Sequence, residues 1–185
     1  MADPAGAAPT ASSEAEPSEA PESPAPEHER HAGALVTWSR GQEVLHPARE
    51  AYHATVEALK GEGFAMCSDL TAVDYLLRVP RELPAGVVPE RFEVVVNLTS
   101  LEPPRRVRLR VQVPDADPHL PTIWDLYPGA DFYEREVYDL MGIVFDGHPD
   151  MTRIMMPEDW EGHPLRKDYP VGQVPVRFKG APPTR

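Results

Sequence analysis

Two stretches with apolar residues at every second position set the strongest limit on the fold. Residues 92–98 read Phe-Glu-Val-Val-Val-Asn-Leu, and residues 106–113 read Arg-Val-Arg-Leu-Arg-Val-Gln-Val. Successive side chains of a strand point to opposite faces of the sheet, so this alternation predicts two half-buried strands. Pro103 and Pro104 mark a turn between them. The sequence therefore predicts a long antiparallel hairpin.

The polar face of this hairpin carries a row of cations formed by Arg106, Arg108 and Arg110. Such a row is compatible with phosphate or nucleic-acid binding. It is equally compatible with the solvated face of a sheet, where an arginine pairs with Glu93 across the hairpin. A third interpretation is a docking face for an acidic protein. The formal net charge of −12 argues against nucleic acid, because phosphate binding needs a basic surface.

The remaining elements predicted before residue 128 are helical segments and strands that do not follow a βαβ order. Apolar residues at helical spacing predict a helix over residues 47–60, which Pro47 can begin. Residues 64–77 predict a strand with a turn at residues 69–72. A proline-rich loop follows at residues 78–91, and a single helical turn is predicted at residues 122–126. This order favours an α+β two-layer domain with a mainly antiparallel sheet.

The N-terminal residues 1–33 differ in composition from the rest of the chain. They are mostly Ala, Pro, Ser and Glu, and seven acids against one base give them a charge of −6. Large apolar side chains, which would offset the entropy cost of ordering, are almost absent. The sequence predicts a disordered acidic tail here. An acidic tether is the alternative, and nothing in the residues specifies its target.

A second helix is predicted over residues 132–141. Asp131 is placed as its N-cap, Glu134 completes a capping box, and Gly142 ends the helix. Arg135 and Asp139 are four residues apart, the spacing of a surface ion pair. The acids of this helix are compatible with an acid/base set or with an ordinary charged face. A short strand and a turn at residues 146–147 complete the predicted domain, residues 34–147.

Residues 148–185 have poor helix and strand potential and predict an extended C-terminal strap. We expect Trp160 and Tyr169 to anchor it on another protein's surface, with Arg166 as a bidentate donor. His148 and His163 each precede a proline and raise the alternative of a metal-dependent hydrolase. No two histidines have the spacing of a zinc motif, and Cys67 is the single cysteine, so the residues favour neither a metal nor an iron–sulfur cluster.

Targeting signals are also missing from the sequence. No run approaches the 18 apolar residues of a membrane span, and the N-terminus has no secretory signal pattern. No glycine-rich loop for a nucleotide is present either. These features predict a soluble protein on the cytosolic side.

A series of ordered motifs then carries a resemblance to a known family. These motifs are Glu134-Arg-Glu, Asp139, Gly142-Ile, Phe145, Gly147-His-Pro-Asp150, Arg153-Ile154, Asp159-Trp160 and Gly162-His-Pro-Leu-Arg-Lys-Asp168. Upstream, residues 69–75, 92–96 and 121–124 match as well. Over about residues 47–169 the chain resembles the 30-kDa subunit of respiratory complex I, which in bacteria is the C subunit of the proton-translocating NADH–quinone oxidoreductase. Thr152 departs from the family, which often has a basic residue there.

The resemblance implies a non-catalytic subunit of the peripheral arm, on the cytoplasmic side of the membrane. It implies no catalytic, cofactor or metal residue in this chain; FMN, iron–sulfur clusters and quinone belong to the whole complex. The implied partners are the large quinone-site subunit and the adjacent iron–sulfur subunits. The motif residues are then expected to be docking residues: Glu134, Arg135, Glu136, Asp139, Gly142, His148, Pro149, Asp150, Arg153, Trp160, Pro164, Leu165, Arg166, Lys167 and Asp168. An equivalent subunit of a membrane-bound hydrogenase, or of another quinone-reducing complex, is the alternative.

Overall fold

A computed structural model describes residues 29–78 and 81–170 of the chain. Its strands are β1 (Arg30–His31), β2 (Ala34–Ser39), β3 (Gln42–His46), β4 (Met66–Asp74), β5 (Phe92–Leu101), β6 (Pro104–Val113), β7 (His119–Pro121) and β8 (Val144–Asp146). The helices are α1 (Tyr52–Gly61), which follows a 3-10 turn at Arg49–Ala51, and α2 (Ala130–Met141). Most of the predicted tail and residues 171–185 of the predicted strap lie outside the described residues. Because β1 falls within residues 1–33, the ordered domain begins before Ala34.

Six strands form one sheet in the order β1-β2-β3-β6-β5-β4. All neighbours are antiparallel except β3 and β6. The hairpin of β5 and β6 lies near its centre, with Phe92 opposite Val113 and Leu98 opposite Val107, which confirms the predicted alternation. A second, two-stranded parallel sheet joins β7 to β8. The mainly antiparallel α+β fold is thus as predicted.

One face of the large sheet carries the hydrophobic core. The inward residues of β5 and β6 are wholly buried, and both helices contribute to the same core cluster through Val56 and Leu59 of α1 and Val137 of α2. The opposite face is polar, and there Arg110 pairs with the buried Glu93 at 2.8 Å. The molecule therefore has two layers, and the cation row belongs to the outer face of the sheet.

Two local predictions about strands were incomplete. The hairpin of β2 and β3 was not predicted, because apolar and polar residues are mixed there without a clean period. The predicted turn at residues 69–72 is wrong, since β4 runs through them with only a bulge between Cys67 and Asp69. Leu70 and Ala72 face the core, while Asp69 and Thr71 lie on the exposed side. The polar residues are therefore the outward half of a strand.

The predicted start of α2 is also wrong. The helix begins at Ala130 with Gly129 as its N-cap, and no side chain caps it. Asp131 lies in the first turn instead, so no capping box forms. The C-terminus is as predicted, because Gly142 adopts the left-handed conformation, with φ of 73°. Glu134 therefore does not cap the helix, and its side chain is buried in the core.

Candidate functional site

The described part of the strap, residues 148–170, contains no helix or strand and folds back onto its own domain. It first runs along α2, where Arg135 donates to the Thr152 carbonyl at 3.1 Å. It then returns to the C-terminal end of the same helix. The described part of the strap thus packs on its own domain, and its docking on another protein stays a prediction. Two buried carboxylates and one helix end hold it in place, and a third buried carboxylate lies close to its first residue.

The C-terminal end of α2 is capped by the strap. The last carbonyls of a helix have no partner within the helix and must find one elsewhere. Three strap groups supply donors: His163 Nδ1 to the Asp139 carbonyl at 2.9 Å, the Leu165 N–H to Leu140 at 2.9 Å, and Arg166 Nε to Met141 at 2.7 Å. The charge of Arg166 also lies favourably at the negative end of the helix dipole.

His163 is held as a neutral ring at this position. Burial lowers its pKa, and the nearby charges of Arg166 and Arg153 lower it further against the opposing hydrogen bond to Asp139. Its ring also lies against Gly142, where an added Cβ would be 2.5 Å from Nε2. The ring therefore acts as a hydrogen-bond donor in a closely packed contact.

Asp139 is the centre of the second anchor. Its side chain is wholly buried and pairs with Arg153 NH1 at 2.7 Å. One oxygen, Oδ2, accepts the successive backbone N–H groups of residues 154–156, at 3.0, 2.7 and 2.8 Å. Burial alone would raise the pKa of Asp139, but these donors outweigh it and lower the pKa. A carboxylate that is charged at neutral pH thus fixes this turn of the strap. Arg135 and Asp139 have the spacing of a surface ion pair, but within the described residues Arg135 pairs with Asp131 and Asp139 with Arg153.

Glu134 forms the third contact, at the N-terminal half of α2. It is wholly buried and accepts hydrogen bonds from the Thr122 hydroxyl and, at 2.8 Å, from the Ile123 N–H. Burial raises the pKa of Glu134 to about 7, despite those two donors. His148, the first residue of the strap, places Nε2 at 3.9 Å from it. The interpretation of the α2 acids as an ordinary charged face is wrong for Glu134 and Asp139.

Asp74 and Arg91, which were not predicted as site residues, hold the far end of the strap. The Asp74 carboxylate pairs with Arg91 at 2.9 Å and accepts the Lys167 N–H at 2.9 Å. Arg91 also pairs with Asp168 at 2.7 Å. The sequence contains a signal for this anchor. Asp74 lies four positions after the buried Leu70 in the same strand, so both side chains face inward. An acid that faces inward needs a partner.

The other predicted residues are more exposed. Within the described residues, neither Glu136 nor Asp150 makes an ion pair, and the prolines 149 and 164 carry no charge. The indole nitrogen of the half-buried Trp160 has no hydrogen-bond partner there. Tyr169, the other expected anchor, packs against Gly162 of the strap itself. Nothing in the structure tests these residues for docking.

Large apolar side chains remain exposed around the strap and α2. The exposed fractions are 62% for Phe132, 57% for Met155, 49% for Leu165 and 36% for Ile154. Met155 and Leu165 are held at the same end of α2, because their backbones bond to Asp139 and Leu140 respectively. The anchored strap therefore presents apolar side chains on a fixed backbone.

Neither a metal cluster nor a membrane span is found in the described residues. No group of three or more His, Cys, Asp or Glu side chains is arranged for a metal ion in that part of the chain. None of its helices is long and apolar enough to cross a membrane.

Most of the chain matches a known protein family. The family model described as "Respiratory-chain NADH dehydrogenase, 30 Kd subunit" matches residues 45–175. The chain belongs to this family. The matched region of this 30-kDa subunit family includes the hairpin of β5 and β6, α2 and the whole described strap, so the resemblance carried by the motifs is confirmed.

Curated relatives in the 30-kDa family are named as the C subunit of NADH-quinone oxidoreductase. The protein of Salinispora arenicola is 46% identical over 156 residues, which cover 81% of this chain and 60% of the relative. The protein of Acidothermus cellulolyticus is 46% identical over 145 residues, covering 77% of this chain and 71% of the relative. The chain thus spans about 60% of the length of some of these relatives.

Two solved structures share the fold. A structure titled "Nqo5 of the trypsin-resistant fragment (1-134) in P63 form" is 40% identical, with a TM-score of 0.57, and covers 64% of this chain and 89% of that one. A chain of an archaeal membrane-bound sulfane sulfur reductase has a TM-score of 0.63 at 24% identity, covering 80% of this chain and 88% of that one. The second similarity concerns the fold alone.

Proposed function

We propose that the chain is a non-catalytic, peripheral-arm subunit of a proton-translocating NADH–quinone oxidoreductase. In this complex electrons pass from NADH through FMN and iron–sulfur clusters to a quinone. The subunit supports assembly of the large quinone-site subunit and adjacent iron–sulfur subunits, on the cytoplasmic side of the membrane. The names of the 46%-identical relatives support the complex, and the strap supports the docking role.

The observation that carries the docking role is the pairing of a fixed backbone with exposed apolar side chains. Met155 and Leu165 each expose about half of their surface. Their backbone N–H groups are nevertheless hydrogen-bonded to Asp139 and Leu140, at the C-terminal end of α2. Apolar anchors on a pre-ordered surface bind with little loss of conformational entropy. The polar motif residues then act indirectly: Asp139, His163 and Arg166 hold the strap so that its apolar residues face a partner.

The test is affinity purification of the tagged full chain from its native host, followed by mass spectrometry. We expect recovery of subunits with quinone-site and iron–sulfur sequences. The double variant Met155→Asp/Leu165→Asp is expected to lower that recovery at least tenfold, since buried interface anchors each contribute about 2 kcal/mol or more. Val88→Asp is the control, because Val88 is an apolar residue outside the strap and α2 and is 71% exposed.

Two results would contradict the proposal. One is recovery of the tagged wild-type chain alone. The other is normal recovery of the partners with the double variant. Recovery of hydrogenase or other quinone-reducing subunits without NADH-oxidising ones would favour the related complexes, for which the sulfane sulfur reductase supplies a shared fold.

A further inference from the structure

A group of arginines lies together at one end of the large sheet. Arg106 and Arg108 are on the outer face of β6, opposite Thr99 and Asn97 of β5. The turn between β2 and β3 is at the same end, because Glu43 of β3 pairs with Val107 of β6. We call the four arginines of this end the arginine surface, and they are Arg40, Arg105, Arg106 and Arg108.

The arginine surface makes no ion pair within the described residues, although the chain has 30 acids against 18 bases. Most arginines elsewhere in the described part are paired, as Arg91 is with Asp74. Acids do lie near the arginine surface, but they are engaged by other groups. Glu43 and Glu62 both contact His31. The positive charge at this end of the sheet is therefore left without a partner.

Two of these arginines are nevertheless held in place by uncharged groups. Arg108 donates through Nε to the side-chain oxygen of Asn97 at 3.1 Å. Arg105 donates to the Glu62 carbonyl at 2.9 Å, and its guanidinium lies 4.7 Å from the centre of the Phe64 ring. Such bonds orient a guanidinium without cancelling its charge. The surface is thus arranged to receive carboxylates.

The N-terminal residues 1–28 contain the matching charge, with six acids and neither Lys nor Arg. The described chain joins the sheet from the same end. β1 is antiparallel to β2, and the Val36 N–H donates to the Glu29 carbonyl at 2.9 Å, so the chain before Glu29 approaches from where β2 ends. Arg40 follows that end directly. Glu27 and Glu22 are within seven residues of Glu29, a span of about 25 Å at most.

We propose that the acidic residues 1–28 dock on the arginine surface of their own domain. Exposed ion pairs are individually weak, but a tethered segment is present at an effective concentration on the order of millimolar. The docked segment covers the sheet face that an acidic partner would otherwise bind. This surface is separate from the strap, so the proposal does not rest on the docking role proposed above.

The test is paramagnetic relaxation enhancement in the NMR spectrum of the full chain. A nitroxide label is attached through Ser23→Cys, and Cys67→Ala removes the native thiol. We expect the amide signals of residues 40–42 and 105–108 to lose intensity at about 20 mM NaCl and to recover at about 500 mM, where surface charges are screened. Amides of residues 112–114, at the opposite end of the sheet, are the internal reference.

Two sets of variants separate the two sides of the contact. Arg106→Gln/Arg108→Gln should lower the intensity loss about twofold or more, since it removes two of the four charges. Arg78→Gln is the matched control: Arg78 is exposed beyond the other end of β4 and its replacement should change nothing. The reciprocal variant, which decides the matter if the arginine variant does not fold, replaces the acids by Gln at positions 14, 16, 19, 22 and 27 and should abolish the loss.

The proposal is overturned if the intensity loss is absent, lies on another face, or persists at high salt. It is equally overturned if neither set of variants reduces the loss. A loss that disappears on dilution would assign the contact to the N-terminal segment of a second copy instead. All of these spectra are recorded on the free chain, so their outcome is independent of co-purification.

Discussion

Arg166 donates through Nε to the carbonyl of Met141 at 2.7 Å, and so caps a helix that ended 25 positions earlier in the sequence. Its side chain is only 24% exposed, and its guanidinium lies over the Phe92 ring. A residue expected to reach a partner protein is thus committed to its own domain. Substitution of Arg166 should therefore lower the stability of the free chain.

Arg166→Ala is expected to destabilise the free chain by about 1–2 kcal/mol. The variant loses a charge-assisted hydrogen bond and a cation at a helix C-terminus. Urea unfolding followed by circular dichroism measures the change. Lys167→Ala is the control: its side chain is exposed and only its backbone binds Asp74, so we expect a change below about 0.5 kcal/mol. Equal stability of both variants would show that the cap contributes nothing.

Asp139→Asn should be the most damaging single change in the strap anchors. It leaves Arg153 without a carboxylate and replaces an acceptor of three backbone N–H groups with an amide. Breaking a buried ion pair costs about 3 kcal/mol or more. The free energy of unfolding checks this, with the exposed strap residue Asp159→Asn as control. A loss no larger than that of the control would contradict the anchor.

The contribution of Asp139 should also depend on pH in one direction. The pKa of Asp139 is lowered in the folded chain by its hydrogen-bond donors. The stability gain is therefore present above the unfolded value of about 3.9, and is lost as pH falls through the folded pKa. The stability difference between wild type and Asp139→Asn should be constant from pH 5 to 7 and shrink below about pH 4. A difference that grows on acidification has the wrong sign.

Gly142→Ala should destabilise the protein for two reasons that act together. The residue has φ of 73°, and its Cβ would lie 2.5 Å from His163 and 2.9 Å from Arg166. We expect a loss of about 1–2 kcal/mol or more in thermal unfolding. Gly61→Ala is a matched control at the end of α1, where an added Cβ meets nothing within 4 Å. That variant should be neutral or slightly stabilising.

His31 should stabilise the domain more at low pH than at high pH. Its two nitrogens contact Glu43 at 2.5 Å and Glu62 at 2.8 Å, which tie β1 to β3 and to the end of α1. Burial would lower its pKa, but the two carboxylates raise it overall. The gain is full below about pH 6.5 and is lost as pH rises through the folded pKa.

The measurement is the stability difference between wild type and His31→Gln at pH 6 and pH 9. We expect about 0.5–1 kcal/mol at pH 6 and less at pH 9. Arg30→Gln changes the neighbouring residue of β1 and should show no such trend. A His31 effect that increases with pH would rule out the charged pair.

The sequence predicted those parts of the fold that depend on a local period. The alternation in β5 and β6, the helical spacing in α1 and the glycine that ends α2 are local properties of the sequence, so they could be interpreted without a structure. The edge hairpin of β2 and β3 has no such period. It is stabilised by pairing with β6, more than 60 residues away, which no local pattern encodes.

The sequence identifies the residues of the candidate site but does not predict their burial or their contacts. The sequence places Glu134 in a capping box and Asp139 in a surface ion pair, because acids of a helix usually cap it or face solvent. Their burial depends on donors from residues 122–123 and 153–156, which are distant in sequence. The family motifs of the strap mark the residues that fold it, and docking remains a proposal.

The cap on α2 has a consequence for the order in which the chain is made. The carbonyls of Leu140 and Met141 acquire their strap partners from residues 165 and 166. During synthesis, the end of this helix stays open until those later residues have left the ribosome. A chain that stops before residue 163 would carry α2 with the carbonyls of residues 140 and 141 uncapped. Quality control that acts on such exposed ends would therefore discriminate between complete and truncated copies of this domain.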